Sequence, residues 1–306
     1  MTKTFLLEVG LEDMPAGVVL NTQKQLMDKT RTFLTEANLT FSEIIGYSSP
    51  RRFAVMVKEL AEKQPDETLT VRGPAKKIAQ DEEGNWTKAA IGFSKGQGGS
   101  VEDLIIKEEK GKPYVFIEKF VPGKSAQEIL EGMDEVISNL EFPKNMKWSN
   151  LSYHYVRPIH WLVALLDDEV IPFEVFGVTT GRTSQGHRFL GESVEITVPE
   201  KYESLLNKQS VIPDRAERQN MIIEQIHGLC KQHNWAVPAL ESELLEEVTD
   251  LVEYPTAFYG HFDEEYLKLP RVVLETSMID HQRYFPVRDG KDTQALLPYF
   301  ISIRNG

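Results

Sequence analysis

TTGRTSQGHRFLG, residues Thr179 to Gly191, follows a long apolar run, His160 to Leu166 and then Val170 to Val178. The run reads as two core strands, because β-branched and aromatic residues dominate it. The segment after it holds Gly181, Gly186 and Gly191, the cations Arg182 and Arg188, His187 and four hydroxyl side chains. Glycine lets a backbone turn or come close to a ligand. Arginine and histidine donors suit phosphate or carboxylate oxygens. Spacing alone makes this stretch a hairpin loop on a β-rich domain, and its donors leave a phosphate contact open.

Outward from that loop, the chain reads as α+β. Phe5 to Val9 is a short strand, and Asp13 with Pro15 marks a helix start. Ala16, Val19, Leu20, Gln23, Leu26, Met27, Thr30, Leu34 and Ala37 keep helical spacing with few breaks. Ile44-Ile45 and Phe53-Val55-Val57 are strands flanking YSSPRR, Tyr47 to Arg52, so the opening is a β-α-β-β unit. Glu59 to Thr68 is a charged connector and Thr70 to Lys77 a turn with three cations. Asp81 to Asn85 is a loop, and Lys88 to Gly99 begins as a weak helix. Ile105-Ile106 and Tyr114 to Val121 form a hairpin around Lys110 to Lys112. A helix from Ala126 to Leu140 follows, with a capping box at Ser125 and Glu128. Phe142 to Asn150 reads as a hinge.

Beyond the hinge, Val194 to Val198 and Val211-Ile212 are short strands. Asp214, Ser242 and Pro270 open three helices. The second buries Leu244, Leu245, Val248, Leu251 and Val252, with Glu246, Glu247, Asp250 and Glu253 on a solvated face. The fold expected is therefore mixed and antiparallel sheets with flanking helices in two subdomains, 1–150 and 151–306. The last strand ends without a polar tail, and the natural chain is expected to continue beyond 306.

Composition narrows the function. The net charge is −13, which argues against indiscriminate nucleic-acid binding. The charge is uneven: Ser193 to Pro270 holds 15 acidic and 6 basic residues, and basic knots lie elsewhere. A chain so polarised can offer nucleic acid one face. The single cysteine, Cys230, rules out an internal disulfide framework, fits a reducing cytoplasm and is read as core packing on a helix. No apolar run reaches the roughly 18 residues of a membrane helix.

Catalytic motifs fail on their own requirements. Val121 to Ser125, VPGKS, has Glu118 where a phosphate loop needs its first glycine. Gly96 to Gly99 lacks the strand and helix that frame a dinucleotide site. His154 and His160, and His227 and His233, are six apart, which suits no metal pair on one face. No serine elbow or serine–histidine set stands out.

Taken in order, the loops form a series: FLLEVGLEDMP (Phe5 to Pro15), SPRRFAV (Ser49 to Val55), RGPA (Arg72 to Ala75), VRPIHW (Val156 to Trp161), GHRFLG (Gly186 to Gly191), LLEEVTDLVEYP (Leu244 to Pro255) and HQRYFPV (His281 to Val287). The set resembles the beta subunit of the bacterial tetrameric glycyl-tRNA synthetase, over essentially the whole chain. The resemblance implies an aminoacyl-tRNA synthetase of two alpha and two beta chains in the cytoplasm. In that family the alpha chain carries the class II site for ATP, Mg²⁺ and glycine. The beta chain binds tRNA(Gly) and runs on through an HD-like domain to an anticodon-binding domain. This chain would then be a non-catalytic N-terminal portion with no cofactor of its own.

Under that reading the phosphate contacts are expected among Arg51, Arg52, Arg72, Lys76, Lys77, Arg182, His187, Arg188 and Arg283, because they cluster in loops marked by glycine and proline. The alternative for each is a structural role, paired with one of the many carboxylates. Two other functions stay open. One is an editing-type aminoacyl-tRNA hydrolase, weakly needed because glycine is small enough for a pocket to exclude larger side chains. The other is a subunit-docking module built on the acidic helices.

Overall fold

FLLEVGL, Phe5 to Leu11, is buried at every position. A strand buried on both faces must lie in the middle of a covered sheet, and this one does. The structure, a computed structural model, describes residues 2–148, 153–240 and 242–306. In chain order β1 (Thr2–Leu11), α1 (Ala16–Glu36), β2 (Glu43–Ser49) and β3 (Arg52–Ala61) come first. Then follow β4 (Glu67–Ala75), α2 (Lys76–Ala79), α3 (Lys88–Gly96), β5 (Leu104–Glu109) and β6 (Lys112–Val121). Next are α4 (Ala126–Leu130), α5 (Met133–Ser138), β7 (Met146–Lys147), β8 (His154–Tyr155), β9 (Ile159–Leu166), β10 (Glu169–Val170), β11 (Glu174–Val175), β12 (Val178–Gly181), β13 (Thr183–Gln185) and β14 (Ser193–Glu195). The remainder is α6 (Tyr202–Asn207), α7 (Arg215–His233), β15 (Trp235–Ala236), α8 (Glu243–Thr249), β16 (Pro255–His261), α9 (Arg271–Thr276), β17 (Phe285–Asp289) and β18 (Leu296–Asn305). The chain is α+β with mixed and antiparallel sheets, as its sequence implies.

Two compact units divide it: Met1–Glu62 with Gln127–Gly306, and Lys63–Ala126. The boundary expected at 150 falls among residues 149–152, which lie outside the described residues. The large unit is organised on a seven-stranded sheet of order β11-β12-β9-β1-β3-β2, with β10 on β9. All its pairings are antiparallel except β12 with β9. Helix α1 packs on β2 and β3. It buries Val19, Leu26, Thr30 and Leu34 of the expected stripe, and Thr22, which that stripe does not include, while Ala16, Leu20, Gln23, Met27 and Ala37 are only partly buried. The opposite face carries Leu6, Ala54, Met56, Trp161, Val163 and Leu165 against Ile196, Tyr202, Leu206 and Val211. A second sheet, β15-β17-β18-β16, packs with α7 and α8 around Ile222, Ile226, Phe285 and Ile301. Asp214 caps α7 by accepting from the Ala216 and Glu217 amides, and Ser242 caps α8 through the Leu245 amide. Cys230 is buried, as expected.

The small unit is a three-stranded antiparallel sheet, β4-β6-β5. Its core is Leu104, Val115 and Ile117 with Ala79 and Ala90 from the helices.

Several expectations need correction. Val170 to Val178 is not one strand, because Phe176 and Gly177 both take positive φ and fold β11 back on β12. Thr179 to Gly191 is a hairpin loop only in its last six residues: it first supplies β12 and β13, and Gly186 to Gly191 then lead from β13 to its antiparallel partner β14. Thr70 to Lys77 is the end of β4 running straight into α2, not a turn, and Glu59 to Thr68 is largely strand at both ends. The helix from Ala126 breaks at Glu131-Gly132 into α4 and α5. Val211 and Ile212 are buried without being a strand. Leu251 is exposed, while Asp250 and Glu253 are buried. Burial there is set by buried arginines, which helical spacing does not reveal.

Candidate nucleic-acid interface

Glu8 is the one charged residue in the apolar run of β1, and it is fully buried. Strand alternation puts Glu8 and Gly10 on one face, between Arg52 on β3 and Trp161 on β9. Burying a carboxylate is costly unless its oxygens are satisfied. Glu8 Oε1 accepts from Trp161 Nε1 and Ser184 Oγ, each at 2.5 Å, and Oε2 accepts from the Tyr202 hydroxyl at 2.5 Å. The Arg52 guanidinium lies 3.5 Å from Glu8 and donates to Glu253 at 3.1 Å, Ser184 Oγ at 3.1 Å and the Gln185 carbonyl at 2.7 Å. Ser49 Oγ donates to the same Glu253 oxygen at 2.8 Å. One buried network therefore joins β1, β2, β3, β9, β13, α6 and the segment after α8. Burial alone would lower the Arg52 pKa, but Glu253 and Glu8 more than offset it and hold the cation above its ordinary range.

Three buried phenols, Tyr202 in this network and Tyr47 and Tyr155 bonded to Glu203 and the Ile137 carbonyl, yield a pH prediction. Burial, then the neighbouring carboxylates Glu203 and Glu8, raise the Tyr47 and Tyr202 hydroxyls, and burial raises Tyr155. Each folded-state value lies above the unfolded value of 10.0, so the stability they supply is complete below pH 10 and is lost as pH rises beyond it. Three of the ten tyrosines should ionise only as the chain unfolds. Phenolate absorbance and circular dichroism, followed together through an alkaline titration, check this. A complete phenolate signal from a still-folded chain would contradict it.

Above this network four sequence motifs meet at one rim of the sheet. Leu11 N donates to Arg51 O at 2.9 Å, Met14 N to Pro50 O at 2.7 Å and Glu12 N to Pro158 O at 3.2 Å. Arg51 donates to the Gly186 carbonyl at 3.3 Å, and Arg157 to the Asp13 carbonyl at 2.7 Å. Glu12 accepts from Arg188 at 2.7 Å and lies 3.1 Å from His160 Nε2. The Arg188 hydrogen bond is the main reason the Glu12 carboxyl sits below its ordinary range. Glu12, Arg51, His160, Trp161, Gln185 and Arg188 line a shallow cavity of about 350 Å³. Beside it Phe189 is 84 % exposed on the tip of the Gly186–Gly191 turn. Such a surface offers cationic donors for phosphate and an aromatic plane for a base.

The nine residues singled out in the sequence have separate fates. Arg188 is at the rim and half-exposed, and Arg51 lies just beneath it, 3.6 Å from Glu253. Arg52 is the buried centre of the network. His187 is buried too, its Nδ1 accepting from the Phe189 and Leu190 amides at 3.3 and 3.2 Å, so it closes its own turn. Arg182 is not with Arg188: it reaches the Asp168 carbonyl at 2.9 Å, beyond the far end of β9. Arg283 pairs with Glu247 at 2.9 Å on α8. In the small unit Arg72 pairs with Glu109 at 3.0 Å, and Lys76 and Lys77 are exposed. The acidic face expected on α8 is internally neutralised: Arg215 holds Glu246 at 2.5 Å and Asp250 at 2.7 Å.

Spacing did not reveal Glu12, His160 or Phe189 as surface partners. The signal available was the charge or ring inside each motif, LEDMP, RPIHW and GHRFLG. Among the described residues no group of three His, Cys, Asp or Glu side chains could hold a metal ion, and no helix is long and apolar enough to cross a membrane.

Residues 5–306 match the profile of a family described as "Glycyl-tRNA synthetase beta subunit". The chain is 53 % identical over 306 residues to the glycine–tRNA ligase beta subunit of Ligilactobacillus salivarius, covering 100 % of this chain and 44 % of that protein. It is 52 % identical over 301 residues to the beta subunit of Bacillus subtilis, covering 98 % and 44 %. The chain thus spans less than half the length of the curated relatives it matches. A profile matched from residue 5 to residue 306 places this chain in the glycyl-tRNA synthetase beta subunit family.

Proposed function

We propose that this chain is a tRNA-holding and assembly portion of a glycine–tRNA ligase beta subunit, with no chemistry of its own. In this reading the alpha subunit charges tRNA(Gly) with glycine, using ATP and Mg²⁺. The working enzyme is a cytoplasmic tetramer of two alpha and two beta chains. The observation that supports a binding role is the rim: in a chain of net charge −13, four loops converge to set Arg188, Arg157, His160 and Phe189 together. Arg51 and Arg188 are the phosphate contacts there. Arg72, Lys76, Lys77, Arg182 and Arg283 remain exposed enough to add contacts elsewhere, while Arg52 and His187 support the rim from within.

Arg188→Ala, made in the full-length beta chain with its alpha partner, tests this. Removing one cation from a phosphate should reduce the salt slope of tRNA binding by about 1 and weaken affinity across tRNA sequences. Unchanged affinity and slope would remove the rim from the interface.

A further inference from the structure

The sheet of the small unit has one face that its helices leave uncovered. Val71, Leu104, Val115 and Ile117 point to the helices, since α2 packs on β4 and β6, and α3 on β4. Alternation then assigns Thr68, Thr70 and Arg72 of β4, Ile105, Lys107 and Glu109 of β5, and Tyr114, Phe116, Glu118 and Phe120 of β6 to the other face. Three aromatic rings lie on this face: Phe120 is 64 % exposed, Tyr114 and Phe116 are partly buried, and the Arg72 guanidinium lies 3.7 Å from the Tyr114 ring centre.

The charge around this face differs from the rest of the chain. Residues 63–126 hold 11 basic and 10 acidic side chains within a protein of net charge −13. The Ala75–Tyr114 pairing and the Lys112–Glu109 pairing put Lys76 and Lys77 at the same end of the sheet as the Lys110–Lys112 turn. Arg72 and Lys107 are held by Glu109 and Glu118 at 3.0 and 2.9 Å, but in exposed pairs. Exposed pairs are worth little and yield readily to a phosphate.

We propose that this face stacks unpaired bases of a single-stranded RNA segment. Phe116 and Phe120, on either side of Glu118, offer ring planes, Arg72 stacked on Tyr114 adds a guanidinium plane, and the lysine end holds phosphates. The apolar rings alone would suit a protein partner equally. The cations gathered at one end of the face decide for RNA. The inference rests on the tRNA-binding reading and names which part of the nucleic acid this unit takes.

The test uses the full-length beta chain with its alpha partner. Binding is measured to a short oligouridylate, to an RNA duplex of the same length and to tRNA(Gly). Phe120→Ala, and Phe116→Ala with Phe120→Ala, should weaken oligouridylate binding by about ten-fold per base released while leaving the duplex and its salt slope unchanged. Phe120→Trp should retain binding. Phe120 is exposed, so its variants keep the thermal stability of the parent, which is measured alongside. Equal loss on single strand and duplex, or no loss on either, overturns the stacking face. If the parent binds no tRNA at all, the functional reading fails as well. If Arg188→Ala still reduces the tRNA salt slope while the phenylalanine variants bind normally, only this inference fails.

Discussion

Arg52→Met should lower the unfolding midpoint by on the order of 10 °C, since removing one partner of a buried ion pair costs about 3–5 kcal/mol and each kcal/mol shifts a unit this size by a few degrees. Methionine fills much of the space that the guanidinium stem occupies, so the loss is electrostatic rather than steric. It leaves Glu8 and Glu253 buried without the cation between them, and it leaves the Gln185 carbonyl without its 2.7 Å donor. The neighbour Arg51 does not replace it, because its own guanidinium reaches Glu253 at 3.6 Å from the rim side. Thermal or denaturant unfolding of Arg52→Met, Glu253→Gln and the double variant forms a cycle. Residues in one network are non-additive, so the double variant should cost clearly less than the sum of the singles. Additive losses would mean that the two side chains act independently and that no coupled network joins them.

How much of this was legible in the sequence depends on what kind of signal carried it. The opening β-α-β-β unit was, because the short continuous apolar run Phe53 to Val57 and the helical spacing in Val19 to Leu34 are local patterns. The hairpin at Lys110 to Lys112 was, for the same reason. The segment from Val170 to Gly191 was misread because its breaks lie at positive-φ Phe176 and Gly177, and no periodicity marks a non-glycine residue there. The acidic face of α8 was misread for a different cause. Helix α8 stops at Thr249, so helical geometry does not place Glu253, and nothing local shows that Arg215 and Arg52, remote in sequence, come to meet Asp250 and Glu253. The candidate interface was half legible. Its four loops could be named one by one, yet their meeting rests on β1 pairing with both β3 and β9, a non-local fact. Glu8 was the signal passed over: a charge within a run buried on both faces needs a built set of partners, and here it has one.

Gly10→Ala should be about as damaging as loss of the buried arginine, although it adds a single methyl. Gly10 pairs with Arg52 on one side and Trp161 on the other, and the indole lies across the space a side chain would take. An added Cβ would sit 1.8 Å from Cε2 of that ring, far inside contact distance. A flexible side chain could step aside, but Trp161 is only 8 % exposed and its Nε1 is held at 2.5 Å by Glu8. Both Arg51 and Arg52 also lie over it, at 5.6 and 5.4 Å from the ring centre. To admit the methyl the ring must tilt off Glu8, which adds a broken charged hydrogen bond to the overpacking, about 3–5 kcal/mol together. The same tilt would displace Arg51 and weaken the tRNA binding proposed at the rim. Trp161→Leu supplies the control, because it opens the space above Gly10. In that background Gly10→Ala should cost less than about 1 kcal/mol, the range of surface-like substitutions. An equal penalty in both backgrounds, read by denaturant unfolding, would show that the indole is not what makes glycine necessary here.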